Sequence, residues 1–433
     1  MQGNVQVLEC VDPGEVPGLL HHAIDKPTAG WRGGDWTLDV RGSAVGEGSP
    51  VESVEFHVDG RVIHIAACDA PRPVLAGERP DLPGAGASGF YATLSALDLP
   101  REFELHVRAV RGDGVRLAFG VLRGRRSALE TSFEPSLQPL IVSGPGRSGS
   151  TVFMQMLAGH PGIVAWPPFD EEPRVLTYWV EVMRTLARPD SFMRQVAPAG
   201  DLNGDWWLGR REPRPRALSD GEVQGWLGGA AVGEIAAFAQ SRVEALYCRI
   251  RTDDRRGARY FAEKLRNDPV SDLAWELYPQ AREVVLVRDP RDVLVSVLAA
   301  NRKRGERPPP ADPAAWIADE FRPRIAAVVE SWKRRRDRAL LVRYEDLMTE
   351  PQATLAAVLE YLDLDAGAGA VQAMLSSAGR SLPEMEQHRT TASPRASIGR
   401  WRQDLDPALA EQCERVLGDA IAALGYPAAI ARA

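Results

Sequence analysis

Two hydrophobic rhythms divide this chain. Across residues 31–122 apolar and polar positions alternate in short runs, as in Trp36-Thr37-Leu38-Asp39-Val40. A period of two turns one set of side chains toward a core and the other toward water, which predicts strands. The runs 54–58 and 61–65 flank Asp59-Gly60, a pair suited to the two-residue type I′ turn, and so predict a hairpin. Residues 90–94, 103–109 and 115–119 repeat the pattern. Short strands punctuated by Gly, Pro and Asp predict a β-sandwich over residues 28–124. Residues 1–27 show little pattern and read as an N-terminal extension, and 125–138 as a linker. Beyond residue 138 the rhythm changes. Continuous apolar runs, Pro139-Leu140-Ile141-Val142-Ser143 and Glu283-Val284-Val285-Leu286-Val287, are each followed by a helical stretch, 152–157 and 293–298. Buried parallel strands alternating with crossover helices predict an α/β domain over 139–433. Residues 198–216, which hold Trp206-Trp207, and 301–313 read as surface loops or lids, and no internal repeat is visible.

Composition narrows the class. The chain has 433 residues, 44% of them hydrophobic, enough for two cored domains. A net charge of −7 argues against a general nucleic-acid binder, so any cationic site has to be local. Cys10, Cys68, Cys248 and Cys413 lack paired spacing and read as reduced thiols of a cytoplasmic protein, neither a disulfide framework nor a zinc site. No basic-then-apolar leader opens the chain, and no apolar stretch is long enough to span a bilayer. Arginine outnumbers lysine, and Ala, Gly and Pro abound, the composition of a GC-rich, bacterial genome.

The chemistry is concentrated in two turns. Gly144-Pro145-Gly146-Arg147-Ser148-Gly149-Ser150-Thr151 joins a strand to a helix. Free backbone N–H groups and the helix dipole make such a turn an anion site. Its spacing is that of a Walker A loop, except that Ser150 stands where an NTPase carries its lysine. That argues against ATP or GTP hydrolysis, and Arg147 supplies a different cation. The second turn, Arg288-Asp289-Pro290-Arg291-Asp292, also follows a strand. Asp289 suits an N-cap and Pro290 the first helical position. Arg288 then lies at the carboxyl edge of the sheet, and Ser296 further along the helix can face the same crevice. An arginine and a hydroxyl suit one phosphate dianion. Two phosphate sites point to a nucleotide with separate 5′ and 3′ phosphates.

On these residues the chain resembles the sulfotransferases that use 3′-phosphoadenosine-5′-phosphosulfate (PAPS), nearer the tyrosylprotein and bacterial type than the cytosolic type. The Pro145–Thr151 loop is similar to their 5′-phosphosulfate loop, and the run from Val287 to Ser296 to their 3′-phosphate motif. Leu341-Val342-Arg343-Tyr344-Glu345-Asp346-Leu347 resembles a later core strand and turn. Ser397-Ile398-Gly399-Arg400-Trp401-Arg402 resembles the loop that closes over the nucleotide. The resemblance covers 139–433 and not the residues before it. It implies PAPS as co-substrate, adenosine 3′,5′-bisphosphate as product, no metal, and a nucleotide site built from Gly146, Arg147, Ser148, Gly149, Ser150, Thr151, Arg288, Ser296, Tyr344, Ser397, Ile398, Gly399 and Arg400.

Sulfuryl transfer builds charge on the leaving phosphate, and Arg147 is placed to stabilise it. Arginine stays protonated, so it acts by charge and not as an acid. Lys264, at the end of the strand-like run Tyr260-Phe261-Ala262-Glu263-Lys264, is a second candidate cation. The acceptor has to lose a proton. Glu171 and Glu172, among Trp166, Phe169 and prolines, resemble the acidic stretch of tyrosylprotein sulfotransferases and are candidate bases. They also suit an ordinary acidic helix start before Pro173. His388 is the runner-up base. His160, at a helix end, reads as structural, and His57, His64 and His106 as side chains on sheet faces. The expected acceptor is a hydroxyl, with an amine second, on a small molecule, lipid or carbohydrate. A small-molecule P-loop kinase and a non-catalytic nucleotide- or glycan-binding protein are the competing readings. The first lacks the Walker lysine, and the second rests on the sandwich alone.

Overall fold

The structure, a computed structural model, describes residues 4–34, 36–165, 174–187, 229–252, 257–266, 272–304, 312–378, 390–391 and 393–428. The chain divides into two compact units. One comprises residues 1–133 with 179–240, the other 134–178 with 241–433.

The first unit is built on nine antiparallel strands: β1 (Val5–Val11), β2 (Leu19–Lys26), β3 (Arg32–Gly33), β4 (Thr37–Gly46), β5 (Val51–Val58), β6 (Arg61–Ala70), β7 (Gly89–Ser95), β8 (Glu102–Arg111) and β9 (Arg116–Arg126). They form one sheet in the order β2-β4-β7-β6-β5-β8-β9-β1-β3. A short helix, α1 (Pro73–Glu78), lies between β6 and β7. The sheet curls on itself, which realises the sandwich with a single continuous sheet. Ile24 of β2 packs on Gly120 of β9, where an added Cβ would lie 2.5 Å from Ile24 Cδ1. Phe90 stands edge-on to both Phe56 and Phe119, at 6.2 and 5.9 Å between ring centroids. The Asp59-Gly60 turn has positive φ at both residues, 49° and 76°, as a type I′ turn requires. The N-terminal residues that show little pattern contribute β1 and β2. Register shifts at Val7/Glu9, Leu19/His21 and Ile24/Lys26 break the two-residue period there.

The second unit carries five parallel strands: β10 (Gln138–Gly144), β11 (Ile163–Ala165), β12 (Tyr260–Arg266), β13 (Arg282–Val287) and β14 (Ala339–Arg343), in the order β11-β12-β10-β13-β14. Its helices include α2 (Ser150–Ala158), the start of α3 (Val175–Leu186), most of α4's second half (Ala231–Ile250), α5 (Asp272–Leu277), α6 (Pro290–Arg304), α7 (Arg322–Arg334), α8 (Tyr344–Thr349), α9 (Pro351–Tyr361), α10 (Ala368–Ala378) and α11 (Pro407–Ala423). Alternate residues of β13 feed two cores. Val284 and Leu286 join Leu140, Val142, Phe153, Leu157 and Leu359 on one face. Val285 and Val287 join Val293, Phe321, Ile325 and Leu417 on the other. Both faces are therefore covered, as a parallel sheet needs. Of the segment read as a surface loop, 301–304 instead extend α6 and Pro313–Trp316 form a short helix capped by Asp312. The sequence 301–304 contains no breaker, and Arg302 and Lys303 complement the dipole at the helix end. Residues 198–216 lie outside the described residues.

Candidate active site

The site forms where β10 and β13 end side by side. β10 runs into the loop at Gly144, whose φ is 151° and whose added Cβ would meet Leu286 O at 2.1 Å. Only glycine lets the loop cross β13 so closely. Arg147 has φ 73°, a left-handed conformation that costs a non-glycine residue about 1–3 kcal/mol. Gly149 (φ 87°) then caps α2, and a Cβ there would lie 2.4 Å from the Tyr344 ring. No side chain caps this helix at Gly149, so its first amides take no acceptor from the N-cap side chain. Ser148 is fully buried, and its hydroxyl has no hydrogen-bond partner.

Arg288, the residue just past the end of β13, is 5% exposed. Its guanidinium donates to Ser397 O and, at 3.4 Å, to Arg147 O. It lies 4.8 Å over the Tyr344 ring, and its Nε, also buried, has no partner. Tyr344 in turn donates to Pro394 O at 3.2 Å and lies 3.2 Å from Ser397 Oγ. Arg147 Nε donates to Ser296 Oγ at 3.0 Å, so α6 and the β10–α2 loop meet through these two side chains. Lys264 Nζ, from β12, donates to Thr151 Oγ1 at 3.3 Å in the first turn of α2. The structure thus brings together Arg147, Ser148, Gly149, Thr151, Lys264, Arg288, Ser296, Tyr344 and Ser397.

The remaining candidates are placed less centrally. Ile398 packs against the core below α2, and Gly399 (φ 69°) donates to Asp292 Oδ2 at 2.6 Å. Arg400 bonds Asp404 at 2.6 Å and Thr390 Oγ1 at 3.2 Å, within its own loop. Gly146 and Ser150 complete the loop and the helix start. Glu171, Glu172 and His388 lie outside the described residues. His160 is 2% exposed and wedged between two loops. Its Nδ1 accepts from Gly162 N and Nε2 faces Asp365 O, each at 3.0 Å, a structural placement. Among the described residues no cluster of three His, Cys, Asp or Glu side chains could hold a metal.

The frame behind the site is a buried charge network that the sequence motifs did not announce. Asp289 Oδ1 accepts from Arg291 N at 3.0 Å, the expected N-cap. Arg291, fully buried, returns a two-pronged bond to the same carboxylate at 2.9 and 2.7 Å. It also bonds Glu414 and, at 2.9 Å, Pro427 O, and stacks 4.1 Å over Trp401. Asp292, fully buried, accepts from Gly399 N and Trp401 N, at 2.6 and 2.9 Å. Burial pushes its carboxyl pKa up, against those amides and Arg288, which pull it down. Glu345 accepts from Asp289 N at 3.0 Å and Tyr426 OH at 2.7 Å, and burial raises its pKa too. The legible signal was charge inside an otherwise apolar context, Asp-Pro-Arg-Asp between a buried strand and a buried helix.

The model of the Sulfotransferase family matches residues 139–367, which takes in all of these motifs except the closing loop. No curated protein matches the chain. Among solved structures it is similar to the sulfotransferase domain from the curacin biosynthetic pathway, with 16% identity and a TM-score of 0.40 over 68% of this chain and 99% of that one. It is also similar to sulfotransferase STF9 from Mycobacterium avium, with 15% identity and a TM-score of 0.36 over 68% and 78%. Mouse sulfotransferase SULT7A1, solved in complex with PAP, shows 12% identity and a TM-score of 0.37 over 67% and 86%. The matched residues are more than half of the sequence, and the chain belongs to the sulfotransferase family.

Proposed function

We propose that the chain moves a sulfuryl group from PAPS to a hydroxyl, with an amine as second choice, of a glycan, lipid or small-molecule acceptor. One observation carries the donor assignment. Ser148 Oγ and Arg288 Nε are buried donors without a partner, at the ends of two neighbouring parallel strands. Buried donors are normally paired, and a phosphate oxygen at each would satisfy them. In this reading the 146–151 amides with Ser148, Ser150 and Thr151 hold the 5′-phosphosulfate. Arg288 and Ser296 take the 3′-phosphate, and the segment from Ser397 to Arg400 covers the nucleotide.

Arg147 is within reach of either phosphate group, since its guanidinium bonds Ser296. It stays protonated and stabilises charge on the leaving oxygen. Lys264 brings a second cation from β12 to the start of α2. The S–O bond to the 5′-phosphate breaks as a new S–O bond forms to the acceptor. The acceptor proton passes to Glu171 or Glu172, with His388 as the alternative base, and adenosine 3′,5′-bisphosphate leaves. Calorimetry on the full chain tests the donor. Tight binding of adenosine 3′,5′-bisphosphate with much weaker binding of AMP and ATP is expected. Equal affinity for AMP and the bisphosphate overturns the 3′-phosphate site.

A further inference from the structure

Glu263 touches nothing in the donor site, yet it is buried in the middle of the strand that carries Lys264. Neighbouring residues of a strand face opposite sides of the sheet. Lys264 faces α2 and Thr151, whereas Glu263 faces α3 and α4. Its Oε1 accepts from Tyr247 OH at 2.6 Å, and the carboxylate takes Leu176 N at 2.9 and 3.2 Å in the first turn of α3. Tyr247 is itself fully buried and stacks on Phe261, the residue two earlier in β12, at 4.3 Å. A carboxylate with a helix start and a phenol on it ties three elements together at one point.

In the described ladder β11 pairs with β12 through Ala165 opposite Ala262. β10 pairs with β12 through Lys264 opposite Val142 and Arg266 opposite Gly144. The Glu263 bonds hold the Lys264 half of the strand from the face opposite α2. An apolar side chain would bury at lower cost than a carboxylate, but it would leave the first amides of α3 and the Tyr247 hydroxyl without an acceptor.

Resting on the function proposed above, we propose that Glu263 is a positioning residue for sulfuryl transfer. It clamps α3 and Tyr247 onto β12 and so fixes the peptide that aims the Lys264 ammonium at the donor loop. The burial of this carboxylate raises its pKa to about 7, which fits a group retained for its bonds and not for a free charge.

The test uses the full chain, with PAPS as probe, water as acceptor and released bisphosphate as readout. Glu263→Leu, which removes the acceptor, should leave bisphosphate affinity within about threefold and the KM for PAPS unchanged, while turnover falls about tenfold, and Glu263→Gln, which keeps an acceptor oxygen, should recover most of it. Tyr247→Phe, which removes one bond of the clamp, should show a smaller loss of the same kind, and it decides the matter if Glu263→Leu does not fold. In a Lys264→Ala background neither Glu263→Leu nor Tyr247→Phe should lower turnover further, because residues acting through one another are not additive. Losses that multiply with Lys264→Ala, or Glu263→Leu and Tyr247→Phe variants with wild-type turnover, overturn the role. A wild-type chain that neither binds the bisphosphate nor releases it from PAPS overturns the donor reading, and this role with it.

Discussion

At the scale of single residues the proposed donor site turns on two buried donors without a partner, Ser148 Oγ and Arg288 Nε. Arg288 is held by Ser397 O, Arg147 O and the Tyr344 ring, which fixes its plane, while its buried Nε has no partner. A charge-assisted bond lost from such a site costs roughly 1.5–3 kcal/mol, so Arg288→Ala should weaken bisphosphate binding by about one to two decades. Arg288→Lys should recover little, because a lysine cannot reproduce the stacked, forked geometry. Calorimetry alongside a thermal melt separates lost affinity from lost fold, and unchanged affinity in a folded variant would remove Arg288 from the donor site. Glu263 makes a different prediction, about pH. Its folded pKa is raised from the ordinary carboxylate value to about 7. The folded state thus holds that proton more tightly than the unfolded chain. The resulting stabilisation is full below the ordinary carboxylate pKa and is lost as pH rises through about 7. Glu263→Gln lacks this proton equilibrium, so its melting temperature should improve relative to wild type between about pH 5 and about pH 8. An unchanged difference across that window contradicts the shifted pKa. Residues of this kind were only partly legible. Arg147, Arg288 and Ser296 stood out because they sit at fixed offsets from turns. Glu263 did not, because its partners, Tyr247 and the Leu176 amide, are set by tertiary packing.

Elements were easier to read than their ends and their fastenings. β10, β13 and the helices after them followed from continuous apolar runs broken by turn residues, and the Asp59-Gly60 hairpin from one dipeptide. β1 and β2 were obscured by three register shifts, and the end of α6 by a reading of residues 301–313 as a loop. The Gly399–Trp401 turn is fastened by one carboxylate across more than a hundred residues of sequence, Asp292, which no local pattern reports. Substituting it leaves two backbone amides short of an acceptor, each worth about 1–3 kcal/mol if it stays buried. Asp292→Ala should therefore lower the melting temperature and also weaken bisphosphate binding, since Ser397, which holds Arg288, stands two residues before that turn. Hydrogen exchange of the Gly399 and Trp401 amides should rise in this variant. Exchange as slow as in wild type would show that another acceptor holds the turn.

For the whole molecule, the division into units departs from a cut in sequence. Residues 179–240 group with 1–133. Arg184 bonds Asp98 Oδ1 at 3.1 Å, and Thr131 Oγ1 donates to Gln240 Oε1 at 2.8 Å. A chain beginning at residue 139 keeps the family motifs but strips these partners from α3 and α4. It should melt well below the full chain or fail to accumulate in soluble form, as thermal melts and soluble yield will show. A truncated chain with the full chain's melting temperature would mean that 139–433 stands by itself. The Arg291 network ties distant parts of the sequence together. Arg291 sits three residues from Arg288, yet it is completed by Glu414 and by the carbonyl of Pro427, while Tyr426 completes Glu345. The turn after β13 thus takes its partners from residues more than a hundred positions further along the chain. A protein clipped ahead of Glu414 would carry every family motif up to Tyr344 and still lack the groups that close this frame, so cleavage there removes support from a turn it does not touch in sequence.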